Sequence, residues 1–332
     1  MRPLLIAFSD FIFWENKRDR MASFDPNNNF FIRMLALKYD VRVVPMMQAE
    51  VLIYSSFGKK HREFVGKKIF YTSENVLPDF DECDYAITFC HLPNEPRHLR
   101  LPQYIHYIQK PSELIKGPDF IPTDILKQKD KFCNFVVSNP RGPERNKFFK
   151  MLNRRKAIDS GGRHFNNLGN VVSDKLSFIK DYKFTLAFEN SSSSGYTTEK
   201  LIEPMLAKSL PIYWGNPEVA RDFNPRSFIN VSDFSSFETA IDYILKVDSD
   251  DQLYLSYLKE PWFNDNQIPK WFTTEYTASA LERFIDTPWS QPSRIYKNRG
   301  LRDHALGTGL SRHISSIGCK LNSLLWKAGW RK

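Results

Sequence analysis

Residues 182–234 read YKFTLAFENSSSSGYTTEKLIEPMLAKSLPIYWGNPEVARDFNPRSFINVSDF. An apolar run of strand length, Phe184–Phe188, ends at the polar pair Glu189–Asn190 and passes into a Ser/Gly loop. Thr197 or Thr198 is placed to cap a helix over Thr198–Lys208, whose stripe is Leu201, Ile202, Met205 and Leu206. Leu210–Trp214 is a second short apolar strand. Strand, helix, strand in this order is a βαβ unit of a parallel sheet. A helix that starts at the C-terminal edge of such a sheet offers free N–H groups to an anion. Lys200, in the first turn, opposes the helix dipole, and a bound anion would account for it. Pro204 inside the helix frees the Lys200 carbonyl and predicts a bend.

The same rhythm extends outward in both directions. Upstream, Phe132–Ser138 reads as a strand followed by a helix opening near Pro143, then Ala157–Asp159, a loop with Gly161 and Gly162, and a helix about Asp174–Lys180. Downstream, Glu238–Lys246 is helical. The first third repeats the pattern, with strands at Leu4–Phe8, Val41–Val44, Val51–Tyr54, Ile69–Thr72 and Tyr85–Phe89, and a helix over Phe30–Leu37. Residues 101–130 lose the rhythm and carry four prolines, which reads as a linker. The expected fold is therefore two α/β domains.

The net charge of +9 is unevenly placed. Residues 294–332 hold nine Lys or Arg against Asp303, so the body is near neutral and the tail is basic. A nucleic-acid enzyme would spread basic groups, interleaved with aromatics, over the folded body, so no nucleic-acid partner is expected. The four cysteines, Cys83, Cys90, Cys133 and Cys319, form no CxxC pair, and no Cys/His set has zinc spacing. They read as small buried hydrophobes of a reducing compartment. No apolar run reaches membrane-spanning length, and the run near the start, Leu4–Phe8, is too short for a signal peptide. Two sequons, at Asn190 and Asn230, agree better with a cytoplasmic chain than a secreted one. Asp248-Ser249-Asp250 has the pattern of a metal-holding triplet but comes after a helix, and is read as a helix end and cap.

Several ordered blocks together carry more than any single pattern. FEN at 188–190, GYTTEK at 195–200 and PIYWGNPEVARDFNPRSFINVSDF at 211–234 lie in the second half; FYTSEN at 70–75, DYAITF at 84–89, RHLRLPQY at 97–104 and VVSNPRGPERNKFF at 136–149 precede them. In this order and spacing, over about residues 68–260, the chain resembles the α1,3-fucosyltransferases of glycosyltransferase family 10, especially the bacterial members. The resemblance implies two Rossmann-like domains facing across a cleft, the glycosyltransferase-B arrangement. An acceptor domain would cover residues 1–115 and a GDP-fucose domain 131–262. Residues 263–293 would cross back, and 294–332 would form a basic amphipathic tail.

It also implies inverting transfer of L-fucose from GDP-β-L-fucose to a hydroxyl, with the 3-hydroxyl of GlcNAc in N-acetyllactosamine-type glycans as the default acceptor. Inversion needs a carboxylate base opposite the leaving group. Glu74 matches the family's proposed base, with Glu82, Asp84 and Glu95 as weaker rivals. Arg145 would grip the diphosphate in two-pronged fashion, and Lys200 would be the second phosphate cation. Tyr196 would offer its hydroxyl to the same phosphates. Glu199 would meet ribose or fucose hydroxyls or the charge developing on the fucosyl ring, and Asn190 would bond the donor at the strand end. No metal is expected to be obligatory, a divalent ion being at most stimulatory.

Within the tail, Leu306, Leu310, Ile314, Ile317, Leu321, Leu324 and Leu325 keep helical spacing, with Trp326, Trp330 and the basic residues beside them. That is the composition of a helix lying on anionic lipid at the inner face of the cytoplasmic membrane. The alternative is a helix docked on the protein. Another nucleotide-sugar donor, or glycan binding without catalysis, are the rival functions; the latter would not need Glu74, Arg145 and Lys200 together.

Overall fold

The computed structural model describes residues 1–11, 24–108 and 110–290. The tail over 294–332, and with it the expectation of a lipid-facing helix, lies outside the described residues, as does Cys319. The chain divides into two compact units: Met1–Pro102 with the described chain from Lys270 onward, and Gln103–Pro269.

The first unit is built on six parallel strands: β1 (Arg2–Ser9), β2 (Tyr39–Val43), β3 (Val51–Tyr54), β4 (Lys67–Tyr71), β5 (Tyr85–Thr88) and β6 (His98–Arg100). Their order in the sheet is β2-β1-β3-β4-β5-β6. Val51, Leu52, Ile53 and Tyr54 are all buried, because a parallel strand covered on both faces needs no polar side. Helix α1 (Phe30–Leu35) is capped by Asn29, whose side chain accepts from the Phe31 and Ile32 amides. A strand at His98–Arg100 had no signal of its own: it is three residues long and mostly polar.

The second unit has five parallel strands: β7 (Lys131–Phe135), β8 (Asp159–Ser160), β9 (Tyr182–Phe188), β10 (Leu210–Trp214) and β11 (Ile229–Asn230), ordered β8-β7-β9-β10-β11. Its helices are α2 (Pro122–Lys127), α3 (Pro143–Arg155), α4 (Lys175–Ile179), α5 (Glu199–Leu206), α6 (Phe237–Ser249) and α7 (Asp251–Lys259). Two α/β units, each on a parallel sheet, are thus present.

The stretch read as a linker is structured. It forms 3-10 turns at Gln103–Tyr107 and Pro111–Leu114 and helix α2, all in the second unit, with Tyr104, Leu114 and Ile125 buried. The break between units accordingly falls at Pro102 rather than near residue 115. Prolines begin short helical turns here as readily as they interrupt longer ones.

Buried and half-buried lysines at helix ends hold these pieces. Lys116 Nζ donates to the carbonyls of Leu258 (2.6 Å) and Glu260 at the end of α7 and lies 3.5 Å from the centre of the Trp262 ring. Lys129 Nζ donates to Ala207 O (3.0 Å) and Lys180 O, at the ends of α5 and α4. In the first unit, Lys67 Nζ donates to Phe284 O (2.7 Å), Ile285 O (2.5 Å) and Thr287 O (2.8 Å) at the end of α8 (Thr274–Asp286), whose Phe284 ring stacks on Tyr85 at 4.3 Å. Each ammonium satisfies carbonyls that a helix C-terminus leaves unpaired. Lys67→Met should therefore cost about 1–3 kcal/mol, the penalty of buried acceptors left without a donor. Urea unfolding would show it as a lower midpoint at unchanged slope.

The Asp248-Ser249-Asp250 triplet serves helix ends. Asp248 pairs with Lys156 and Lys183, and Asp250 accepts from Leu253 N at 3.0 Å to cap α7. Cys83, Cys90 and Cys133 are buried free thiols. Among the described residues no helix is long and apolar enough to cross a membrane.

Candidate active site

In an open parallel sheet, ligands bind beyond the C-terminal strand ends where the strand order reverses. In the second unit that point lies between β7 and β9, whose pairing sets Cys133 against Phe184 and Asn134 against Thr185. Strand β7 runs on into a loop over residues 136–142 and then helix α3; strand β9 runs on into Glu189, Asn190 and the Ser/Gly loop. Arg145, Asn190, Tyr196, Glu199 and Lys200 all come from these segments or from the start of α5.

Arg145 is only 1% exposed. Its Nη1 donates to Asn190 Oδ1 at 2.6 Å, which ties the two strand ends together. Its Nη2 donates to the carbonyls of Asn139 (2.7 Å) and Arg141 (2.5 Å). Nε is buried and finds no partner among the described residues. Gly142, at φ +130°, makes room: a Cβ there would sit 3.2 Å from the guanidinium carbon. Burial lowers the pKa of Arg145, against the pull of the Glu189 charge. Within the protein, the guanidinium is a buried fork that ties Asn190 to the loop after β7.

Glu189 is the residue that reading the motif for cations missed. It is fully buried at the end of β9 and accepts from Thr198 N (2.8 Å), Thr198 Oγ1 (2.8 Å) and Lys200 Nζ (3.2 Å). Burial pushes its carboxyl up, and the Lys200 charge opposes that push. Thr198 is the N-cap of α5, so Glu189 anchors the start of the helix through its capping residue. Lys200 Nζ also meets Thr198 Oγ1 (3.0 Å) and Glu199 Oε1 (3.2 Å). Burial would lower the ammonium pKa, but the charges of Glu189 and Glu199 outweigh it and hold Lys200 protonated. Burial likewise raises Glu199, while Lys200 and Lys175 bring it below the usual range. A cation in the first turn of a helix is thus explained within the protein, by the carboxylate at the preceding strand end.

The loop between β9 and α5 is held by Asn216. Its Oδ1 accepts from Gly195 N and Glu218 N, both at 2.8 Å, and its Nδ2 donates to Thr197 Oγ1 at 3.1 Å. Gly215 precedes it at φ +159°, where a Cβ would lie 2.5 Å from Glu189 Cγ. Tyr196 is 5% exposed, and its amide donates to Ser193 O at 3.1 Å.

Glu74 belongs to the first unit, in the loop after β4, and is half-buried. Its amide donates to Thr72 Oγ1 at 3.0 Å and its carbonyl accepts from Val76 N at 2.7 Å. Of its rivals, Glu82 is tied to His61 and Arg62, Glu95 to Arg97, and Asp84 accepts from Lys68 N.

Two family models match in succession. "Alpha-(1,3)-fucosyltransferase FucT N-terminal domain" covers residues 16–107 and "Glycosyltransferase family 10 (fucosyltransferase) C-term" covers residues 126–287. The two parallel sheets and these matches set the class, a chain of a glycosyltransferase family. The chain belongs to glycosyltransferase family 10, the fucosyltransferases. It is 39% identical over 252 residues to "Alpha-(1,3)-fucosyltransferase FucT" of Helicobacter pylori, which covers 67% of this chain and 52% of that protein. It is 38% identical over 146 residues to "4-galactosyl-N-acetylglucosaminide 3-alpha-L-fucosyltransferase 9" of Mus musculus, covering 42% of this chain and 39% of that one. The chain thus spans about half or less of the length of these curated relatives. Among solved structures it is similar to an α1,3-fucosyltransferase with GDP-fucose, at 29% identity and TM-score 0.70 over 88% of this chain and 93% of that one. A second α1,3-fucosyltransferase structure matches at 28% identity and TM-score 0.73, covering 89% and 93%.

Proposed function

We propose that this chain transfers L-fucose from GDP-β-L-fucose, with inversion, to the 3-hydroxyl of GlcNAc in N-acetyllactosamine-type glycans. The observation that carries the reading is the Arg145–Asn190 and Lys200–Glu189–Glu199 cluster, built on the buried Arg145 and Glu189, at the point of strand reversal in the second sheet. The similarity to an α1,3-fucosyltransferase solved with GDP-fucose supports the choice of donor.

Glu74 takes the proton of the acceptor hydroxyl as its oxygen bonds the anomeric carbon from the face opposite the nucleotide. The bond from that carbon to the diphosphate breaks, and GDP leaves with the electron pair. Lys200 and Arg145 stabilise the charge gathering on the phosphates. Asn190, held by Arg145, and Tyr196 bond the donor. Glu199 faces sugar hydroxyls or the positive charge developing on the fucosyl ring. With two fixed cations in these roles, no metal is required, and turnover should persist in excess EDTA; loss restored by Mg²⁺ or Mn²⁺ would refute this.

A panel of nucleotide sugars offered to purified protein with N-acetyllactosamine tests the donor and acceptor together. GDP-fucose alone should be consumed, and NMR of the product should place fucose on the GlcNAc 3-hydroxyl. Turnover of a different nucleotide sugar, or glycan binding without turnover, would overturn the reading.

The basic, amphipathic sequence of residues 294–332 supports a cytoplasmic enzyme held to anionic lipid at the inner face of the membrane. Deleting 305–332 should abolish sedimentation with anionic vesicles at low salt while sparing turnover of a soluble acceptor. A full chain that ignores such vesicles would favour a docked tail.

A further inference from the structure

The first sheet reverses its strand order between β1 and β3, and a second buried charged cluster sits beyond that point, built from residues with no role assigned above other than Glu82. Asp10 comes directly after β1, at φ 60°. Its Oδ1 accepts from Lys60 N at 3.0 Å; its Oδ2 accepts from His61 N at 3.0 Å and meets His61 Nδ1 at 2.7 Å. The His61 and Asp10 side chains are 6% and 2% exposed. The other ring nitrogen of His61 meets Glu82 Oε2 at 3.4 Å, Arg62 donates to Glu82 Oε1 at 2.8 Å, and the imidazole stacks on Tyr54 at 4.1 Å. Burial would raise the Asp10 carboxyl, but the His61 hydrogen bonds hold it below its ordinary range; burial would lower His61, but Asp10 and Glu82 hold it above.

This cluster pins the β3–β4 connection to the end of β1. Phe57 N also donates to Asp10 O at 3.1 Å, and Ser55 N to Ser9 O at 3.1 Å. Between those two anchors lies Ser56. Its hydroxyl shares a hydrogen bond with Thr72 Oγ1 at 3.3 Å, and the same Thr72 Oγ1 accepts from Glu74 N at 3.0 Å. Thr72 is 2% exposed, so this hydroxyl is set by the protein and not by solvent.

We propose that Asp10 is a positioning residue for Glu74, acting through His61 and the pinned connection over residues 55–63 to Ser56, Thr72 and the Glu74 backbone. The proposal rests on the reading of Glu74 as the base. A base held loosely by an ångström loses much of its rate, so Asp10 governs turnover without touching donor or acceptor.

The test is steady-state kinetics of the full chain for Asp10→Asn, Thr72→Val, Thr72→Ser and Glu74→Gln. Asp10→Asn and Thr72→Val should each lower kcat about tenfold or more, with KM for GDP-fucose within about threefold. Thr72→Ser, which keeps the hydroxyl, should stay within about threefold of the parent. The Asp10→Asn/Thr72→Val double variant should be little worse than the poorer single, because both break one chain of contacts. Unchanged kcat in Thr72→Val, or fully additive losses in the double variant, would overturn the proposal while leaving an inactive Glu74→Gln intact as evidence for the base. An active Glu74→Gln would overturn the base reading itself, and the positioning role with it. If Asp10→Asn does not fold, the Thr72→Val and Thr72→Ser pair decides alone.

Discussion

Glu74→Gln should bind GDP-fucose as the parent does and lose turnover by a factor of about 100 or more, the usual cost of removing a general base. The substitution keeps shape and hydrogen-bonding capacity and removes only the ability to take a proton. Glu74 lies in the first unit, whereas Arg145 and Lys200 belong to the second, so calorimetric affinity for GDP should not change. The backbone contacts of Glu74 to Thr72 and Val76 do not involve its carboxylate, so the fold should survive. Near-parental turnover in Glu74→Gln would remove the assignment and return attention to Asp84, Glu82 and Glu95. Of these, Glu82 and Glu95 are paired with cations.

Lys200→Met should lose GDP affinity and also lose stability, and the two losses should separate. A charge-assisted contact to phosphate is worth about 1.5–3 kcal/mol, roughly a tenfold to hundredfold weakening. Stability falls for another reason: Glu189 is fully buried, and without Lys200 its charge loses the cation that meets it at 3.2 Å. Breaking a buried pair from one side costs about 3–5 kcal/mol. Adding Glu189→Gln removes the uncompensated charge while keeping an acceptor for Thr198. The double variant should therefore recover much of the thermal stability and none of the GDP affinity. Recovery of GDP binding in the double variant would mean that Lys200 only neutralises Glu189 and does not touch the donor. Full stability in Lys200→Met alone would mean that Glu189 is held protonated.

The strands and the capped helix of the donor motif were legible in the chain because their causes are local. Val51–Tyr54, Phe184–Phe188 and Leu210–Trp214 are short apolar runs between polar breaks, and such runs form strands wherever both faces are covered. Thr198 caps its helix because the donors it satisfies lie within the next turn. Glu74, Arg145 and Lys200 stood out through their motifs, whose order along the chain needs no coordinates. The partners of these residues were not legible. Lys200 is neutralised by Glu189, eleven residues earlier, only because β9 ends where α5 begins. Arg145 reaches Asn190, 45 residues on, only because β9 skips over β8 to lie beside β7. Asp10 meets His61 across 51 residues for the same kind of reason, β3 having crossed to the far side of β1. Lys67, Lys116 and Lys129 look like ordinary surface lysines until distant helix ends arrive beside them, and the proline-rich stretch at 101–130 looks like a linker until its apolar residues find a core. Local propensity acts over a turn or a strand; charge pairing and carbonyl capping act over a few ångströms of space, and strand order alone decides which residues share those ångströms.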